Sequence, residues 1–420
     1  MGKNDKSIRR IITPSLRLLR RILRWAAYVA TVGILLILIA FALISVYPPI
    51  GAEGADVLRD IIGDKAVAGV EMFFFRTQDV FNRWKYQWGF EEPAEDWTSL
   101  LGVTIDPAST PGANPLPGNI STPLQSVAII PPLTPTPTLP WVPEIISPLS
   151  NAKGEGIWTP YIQDAHGHVV AYKTFLQPDP NRPYTHVLIV SIDLRQSRLH
   201  YVLGASEPSL VNTTEYPGTI PEADRVQNLL LAAFNGGFQA RHGQFGAMAA
   251  GVQALPPRDG LGTLIIYQDG EVILGEWGSV PDRSIEMEAF RQNGPLVIKN
   301  GEINPRIYNN SPSDWGYTVN GVSPTTRSAI GLNRDNKTLY YFCGPSLTME
   351  ALAQSLKTAG VYNAIQLDIN NYWVLFVKVS FTGSLPAVEQ LLPEQMEFAI
   401  DRYLHKSPRD FFYLTSLSNE

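Results

Sequence analysis

The pattern of apolar and polar positions changes character at about residue 150. From Ala26 to Val46 no charged residue occurs, and at 1.5 Å per residue this run spans about 31 Å, the thickness of a hydrocarbon core. It predicts one transmembrane helix over 25–47, with Trp25, Tyr28 and Tyr47 at the interfaces and Pro48-Pro49 as the stop. The alternative, a cleaved signal peptide, has an apolar region of only about 7 to 15 residues. From Asp56 to Trp88 apolar residues recur at roughly helical spacing, which predicts a stem helix within 48–100. The stretch 101–150 reads as a Pro-rich linker, either a semi-rigid, polyproline-like spacer or a disordered connection with no recognition role. No Lys or Arg stands between Lys85 and Lys153, and Pro is dense up to Pro140.

Within 151–420 short apolar runs alternate with turn signals, which predicts a sheet-rich domain. Candidate strands are His168 to Phe175, His186 to Asp193, Leu199 to Leu203, Leu229 to Phe234, Thr263 to Tyr267, Glu271 to Gly275 and Leu296 to Lys299. Gln268-Asp-Gly270 and Lys299-Asn-Gly301 mark hairpins. Further on, the period switches to 3.6. A strand at Thr338 to Cys343 is followed by a helix capped by Thr348, with Met349, Leu352, Ala353 and Leu356 on one face and Gly360 as its stop. A second strand, Asn363 to Leu367, leads to Asp368. This is a β-α-β unit with parallel strands, and Asp368 lies where ligands of such sheets commonly bind. The fold class is α+β: a sheet-rich mixed domain with a C-terminal β-α-β unit, preceded by one transmembrane helix and a Pro-rich linker.

Charge adds orientation. Lys3, Lys6, Arg9, Arg10, Arg17, Arg20, Arg21 and Arg24 stand against Asp5 before the apolar run, whereas Glu53 and Asp56 follow it. The positive-inside rule makes 1–24 a cytoplasmic tail of a single-pass membrane protein, with the large domain outside. A net charge of −6 over 420 residues argues against nucleic acid as a partner. Cys343 is the only cysteine, so no intramolecular disulfide forms, and in the apolar run Leu339 to Cys343 it reads as a packed thiol.

Three local constellations carry candidate chemistry. Phe234-Asn-Gly-Gly-Phe238, followed by Arg241-His-Gly243, places Gly236 and Gly237 directly after a strand. Such a pair suits a tight turn, or close approach of a ligand to the main chain. Pro324-Thr-Thr-Arg-Ser-Ala-Ile-Gly331 presents Arg327, a surface ion-pair residue or a bidentate grip on phosphate. Gln366-Leu-Asp-Ile-Asn-Asn-Tyr-Trp373 sets Asp368, Asn370 and Asn371 beside two aromatics, as a turn or as a site. His166-Gly-His168 after Asp164 reads as a hairpin turn as well as a metal pair, and no metal or cofactor is expected.

In this order the three segments resemble the phosphodiester glycosidase family, over roughly residues 151–376. Asn235 to Phe238 match its Asn-Gly-Gly-Phe loop. Arg327, Ala329, Ile330 and Gly331 match its Arg-Thr-Ala-Ile-Gly segment, with Ser328 in place of Thr. Leu367 and Asp368 match the start of its Leu-Asp-Gly-Gly-Gly-Ser, where this chain has Ile369-Asn-Asn-Tyr-Trp373. The resemblance implies hydrolysis of a sugar joined through its anomeric carbon to a phosphodiester in a glycan or cell-envelope polymer. It further implies that Arg327 and the Asn235-Gly236-Gly237 backbone hold phosphate, while Asp368 activates water or stabilises positive charge. Phe238, His242, Asn370 and Asn371 are the accompanying substrate-binding candidates, His242 as a second proton carrier. The altered third segment supports a second expectation, a non-catalytic surface module that binds cell-wall or capsular glycan.

Overall fold

The computed structural model describes residues 57–90 and 140–417, apart from 210–215, 281–282, 284, 310–311, 316–321 and 393–398, together with scattered positions before 57. The predicted membrane run and most of the linker lie outside the described residues. Among the described residues no helix is long and apolar enough to cross a membrane. The chain divides into two compact units, Met1–Val70 and Glu71–Glu420.

Helix α1 (Asp64–Gln87) realises the predicted stem periodicity, and its second half is more than a spacer. Asp79 is buried. It receives Arg182 Nε and Nη2 on its two oxygens at 2.6 and 2.9 Å, and the Tyr184 hydroxyl at 3.3 Å. A planar fork on a carboxylate is the geometry that fixes orientation as well as charge. The boundary at 150 also moves. Trp141 packs on Tyr172 with ring centroids 5.6 Å apart, Ile146 is buried, and Glu155 accepts the Leu149 and Ser150 N–H groups. Pro-rich composition hid this, because an extended segment can dock through a few side chains without any periodicity.

Eighteen strands follow among the described residues. The first five are β1 (Thr159–Gln163), β2 (Val169–Leu176), β3 (Val187–Asp193), β4 (Ser197–Val202) and β5 (Leu230–Asn235). Next come β6 (Ala247–Ala249), β7 (Val252–Leu255), β8 (Gly262–Tyr267), β9 (Val272–Glu276), β10 (Met287–Gln292), β11 (Leu296–Lys299) and β12 (Glu302–Ile303). After β13 (Thr325–Leu332) and β14 (Thr338–Leu347), helix α2 (Met349–Thr358) leads to β15 (Asn363–Ile369). The chain ends with β16 (Phe376–Thr382), β17 (Leu385–Gln390) and β18 (Phe411–Ser416). They form one eight-stranded sheet, β1-β2-β3-β14-β13-β15-β11-β12, and two five-stranded sheets, β7-β6-β10-β8-β9 and β17-β16-β5-β18-β4. This is a sheet-rich α+β architecture.

Both predicted hairpins are present. Asn300 and Gly301 between β11 and β12 have φ of +54° and +83°, the paired positive values that a two-residue turn demands. Helix α2 starts where Thr348 Oγ1 accepts the Ala351 N–H at 3.1 Å, and it buries Met349, Leu352, Ala353 and Leu356. The β-α-β unit needs one correction. β14 and β15 each pair antiparallel with β13, so they run parallel to one another but with β13 between them. The short Asn333–Asn336 turn forces β13 and β14 to be neighbours, which leaves β15 the far edge of β13.

The main core gathers where the rings of Phe234, Tyr341, Phe376 and Phe412 meet, with centroids 5.1 to 5.7 Å apart. Each such side chain contributes about 1.5 to 3 kcal/mol on burial, the stabilisation a chain without disulfides must rely on. Cys343 lies fully buried in this core, and burial pushes its thiol well above the ordinary range.

Candidate active site

Strand β5 delivers Asn235 into the protein interior, and every polar atom of its side chain is engaged there. Its Oδ1 accepts the Tyr341 hydroxyl at 2.8 Å and the Leu375 N–H at 3.2 Å. Its Nδ2 donates to Ser328 Oγ at 3.0 Å and to Gly236 O at 3.1 Å. Ser328 Oγ in turn donates to the Asp368 carbonyl at 2.8 Å. Asn235 therefore pins strands together and positions Asp368, and none of its donors is left for a substrate.

The glycine pair has a different reason from the one its sequence suggested. The Gly236 N–H donates to Asp410 O and the Gly237 N–H to Asp410 Oδ2, at 3.0 and 3.1 Å, and the Phe238 N–H goes to Asn293 Oδ1. These donors are satisfied internally and form no open phosphate cradle. What requires glycine is proximity. A Cβ at Gly236 would lie 2.6 Å from Asp410 Cγ, and one at Gly237 would lie 2.7 Å from Arg291 Nη2. The loop is wrapped around a buried ion pair.

That pair is Arg291 with Asp410, Nε to Oδ2 at 2.7 Å, with both side chains almost completely shielded from solvent. Arg291 also donates to the carbonyls of Phe238, Phe245 and Gln292, and Asp410 Oδ2 accepts the Tyr201 hydroxyl at 2.9 Å. Burial works against the Arg291 charge, but Asp410 and Tyr201 outweigh it and hold the guanidinium protonated. In the same surroundings burial, then Asp410, drives the Tyr201 phenol well above its usual range.

Asp368 lies within β15, close to its C-terminal end, and is buried. Its Oδ1 accepts the Ile369 N–H at 2.9 Å, and its Oδ2 forms an ion pair with Arg409 Nη2. Burial pushes the carboxyl up to about 6, against the pull of Arg409 and the Ile369 N–H. Arg409 Nη2 also donates to Gly237 O at 3.3 Å. The buried Nε of Arg409 has no partner among the described residues. The Trp373 ring covers one face of the guanidinium at 4.6 Å. Glu207 stands on the adjoining segment, its N–H on Pro408 O and its Oε2 accepting the Ala240 N–H at 2.9 Å. Burial raises the Glu207 carboxyl, with Arg409 opposing.

Arg327 is elsewhere in function. It is completely buried, and its Nε, Nη1 and Nη2 donate to the carbonyls of Leu347, Trp315 and Ser323 at 2.8, 3.3 and 3.0 Å. Burial lowers its pKa to about 9. A guanidinium spent on three backbone carbonyls ties β13 to its neighbouring loops, and the structure does not bring it to the Asp368 carboxylate. Arg409 occupies the place expected of it.

The altered third segment keeps a turn. Asn370 has φ of +90°, its Oδ1 accepts the Tyr372 N–H at 3.0 Å, and its carbonyl accepts the Val374 N–H at 3.1 Å. Asn tolerates this backbone region better than other non-glycine residues. Asn370 therefore serves the turn, while Asn371 is exposed beside it. Arg402 then clamps the Tyr372 and Trp373 carbonyls, both at 3.0 Å. Phe238 is buried against Phe245, and His242 ends a short turn at Ala240–His242 with no bond to Asp368.

Residues 228–368 match the phosphodiester glycosidase family model. The matched stretch contains the Asn235–Phe238 loop, Arg291, Arg327 and Asp368, and it ends before Arg409 and Asp410. Among solved structures, one similar to this chain is the zebrafish N-acetylglucosamine-1-phosphodiester alpha-N-acetylglucosaminidase catalytic domain auto-inhibited by pro-peptide. It shares 18% identity over 60% of this chain and 89% of that one, with a TM-score of 0.35. A hypothetical protein from Synechocystis shares 11% identity over 61% of this chain and 64% of that one, with a TM-score of 0.30. No curated protein matches.

Arg409, Asp410, Arg291, Asn293 and Glu207 were not singled out by sequence. The one available signal was Arg409-Asp410 placed directly before the apolar run Phe411 to Leu414, a charge pair at the mouth of a strand.

Proposed function

We propose that residues 140–417 form a hydrolase that cleaves the bond between a sugar's anomeric carbon and a phosphodiester. The observation that carries this reading is the Asp368–Arg409 pair, a buried carboxylate beside a guanidinium with unsatisfied donor capacity, next to the Asn-Gly-Gly-Phe loop of the matched family. Arg409 holds the phosphate through donor capacity that no described protein group takes up, its Nε–H included, and Asp368 faces the anomeric carbon. The C–O bond breaks with its electron pair leaving on the phosphate oxygen, water oxygen bonds to the anomeric carbon, and the water proton passes to Asp368. Phosphate leaves readily, so the reaction depends less on a second carboxyl than ordinary glycoside hydrolysis does.

The raised pKa fixes the sign of the pH dependence. Asp368 is ionised above about 6 and protonated below it, so kcat/KM falls as pH drops through about 6. A profile measured on a sugar-1-phosphodiester checks this, and a flat acid side with full turnover at pH 4 overturns the assignment. The same shift makes the group favour the folded state at low pH, and that contribution is lost as pH rises from about 4 through about 6.

The cellular placement belongs to the same proposal. The uncharged run Ala26 to Val46 and the basic residues before it support a single-pass anchor with the domain outside the cytoplasm. Protease added to intact cells removes the domain and spares an N-terminal tag. The reverse protection pattern overturns the topology.

A further inference from the structure

A concave surface lies between β1, at the edge of the eight-stranded sheet, and β16 of a five-stranded sheet. It encloses about 520 Å³, and its lining includes Tyr161, Gln163, Gln227, Lys378, Ser380 and Phe381. None of the residues assigned to the Asp368 site belongs to it. We propose that this cleft is a binding site for a neutral glycan chain.

Four observations carry the proposal. The volume lies within the roughly 300 to 1,000 Å³ of small-ligand sites. The amides of Gln163 and Gln227 are on exposed residues and have no hydrogen-bond partner among the described residues, so each offers a donor and an acceptor together, the pairing that hydroxyl-rich ligands require. Phe381 presents a partly exposed ring beside them, an apolar face for the C–H face of a sugar. The charges cancel. Lys173 and Lys378 stand 4.7 and 5.8 Å from the Tyr161 ring, with Glu389 3.9 Å from Lys378. Asp164 is already saturated by the His166 and His168 N–H groups and by His168 Nδ1. A polyanion or polycation gains little in such a field, whereas an uncharged polyol loses nothing.

One strand joins this cleft to the Asp368 site. β16 begins three residues after Trp373, and Ser380 is seven residues beyond it. At about 3.3 Å per strand residue the two sites are on the order of 20 Å apart along the chain direction, which suits a polymer held at two points. The proposal does not require hydrolysis and is tested without it.

The test is saturation-transfer NMR on the full chain with three probes: cellotetraose, N-acetylchitotetraose and tetragalacturonate. At least one neutral tetrasaccharide gives signals in the wild type. Its affinity falls roughly tenfold in the Gln163→Ala, Gln227→Ala double variant, the loss of about two hydrogen bonds. Thermal unfolding of that variant matches the wild type, because both residues are exposed. Silence from all three probes overturns the proposal. So does binding of tetragalacturonate alone, or equal binding by wild type and double variant, which would place the glycan at the Asp368 site only.

Discussion

Asp368→Asn lowers turnover of a sugar-1-phosphodiester by about two to four orders of magnitude, the scale of a positioned acid or base. The substitution keeps the size of the side chain and an acceptor for the Ile369 N–H, while it removes the charge that faces Arg409. Arg409 then carries its positive charge unopposed by Asp368, so phosphate-bearing product binds at least as tightly as in the wild type. Sugar release and product inhibition are measured on the same substrate, with circular dichroism as the control for folding. Equal turnover in both proteins removes Asp368 from the chemistry. Absence of turnover in both, with glycan binding retained, replaces the hydrolase by a binding module.

The largest effect on stability comes from the other carboxylate. Asp410→Ala removes the partner of a fully buried guanidinium and the acceptor for the Gly237 N–H and the Tyr201 hydroxyl. Breaking a buried pair on one side costs about 3 to 5 kcal/mol, because the remaining charge is stranded away from water. Urea unfolding of the domain reports it as a lowered midpoint with little change in slope. Asp410→Asn retains an acceptor and falls between the two. A midpoint unchanged in Asp410→Ala contradicts the account of the glycine pair as well, since the loop is shaped around this ion pair.

Much of the sheet was legible because alternation is a local signal. Leu296–Lys299 and the starts of the strands at Thr338 and Asn363 coincide with their predicted positions, and most other predicted strands are displaced by one or two residues. The cap at Thr348 and the turn at Asn300-Gly301 were legible for the same reason: a few adjacent residues decide each. The intervening strand β13 was not, because pairing order depends on which edge is free rather than on any window of sequence. The site divides in the same way. Asp368 stood out within its own segment, whereas its partner Arg409 is 41 residues later and is brought to it by β18 packing between β4 and β5. Arg327 had the residue type for an anion grip, and its burial against three carbonyls is a tertiary fact. The glycines of Asn235-Gly-Gly-Phe238 were visible, and their reason, the side chains of Asp410 and Arg291, lay far along the chain from Gly236 and Gly237.

Cys343 gives the chain a built-in clock for its own opening. It is the sole thiol, it is completely enclosed, and burial keeps it protonated. A thiol reagent can reach it only in molecules whose core has come apart, so the rate of labelling under native conditions counts openings of the main core directly. The same enclosure leaves the folded surface without a background thiol among the described residues, so a cysteine introduced at the rim of the cleft between β1 and β16 would carry a probe at one chosen place.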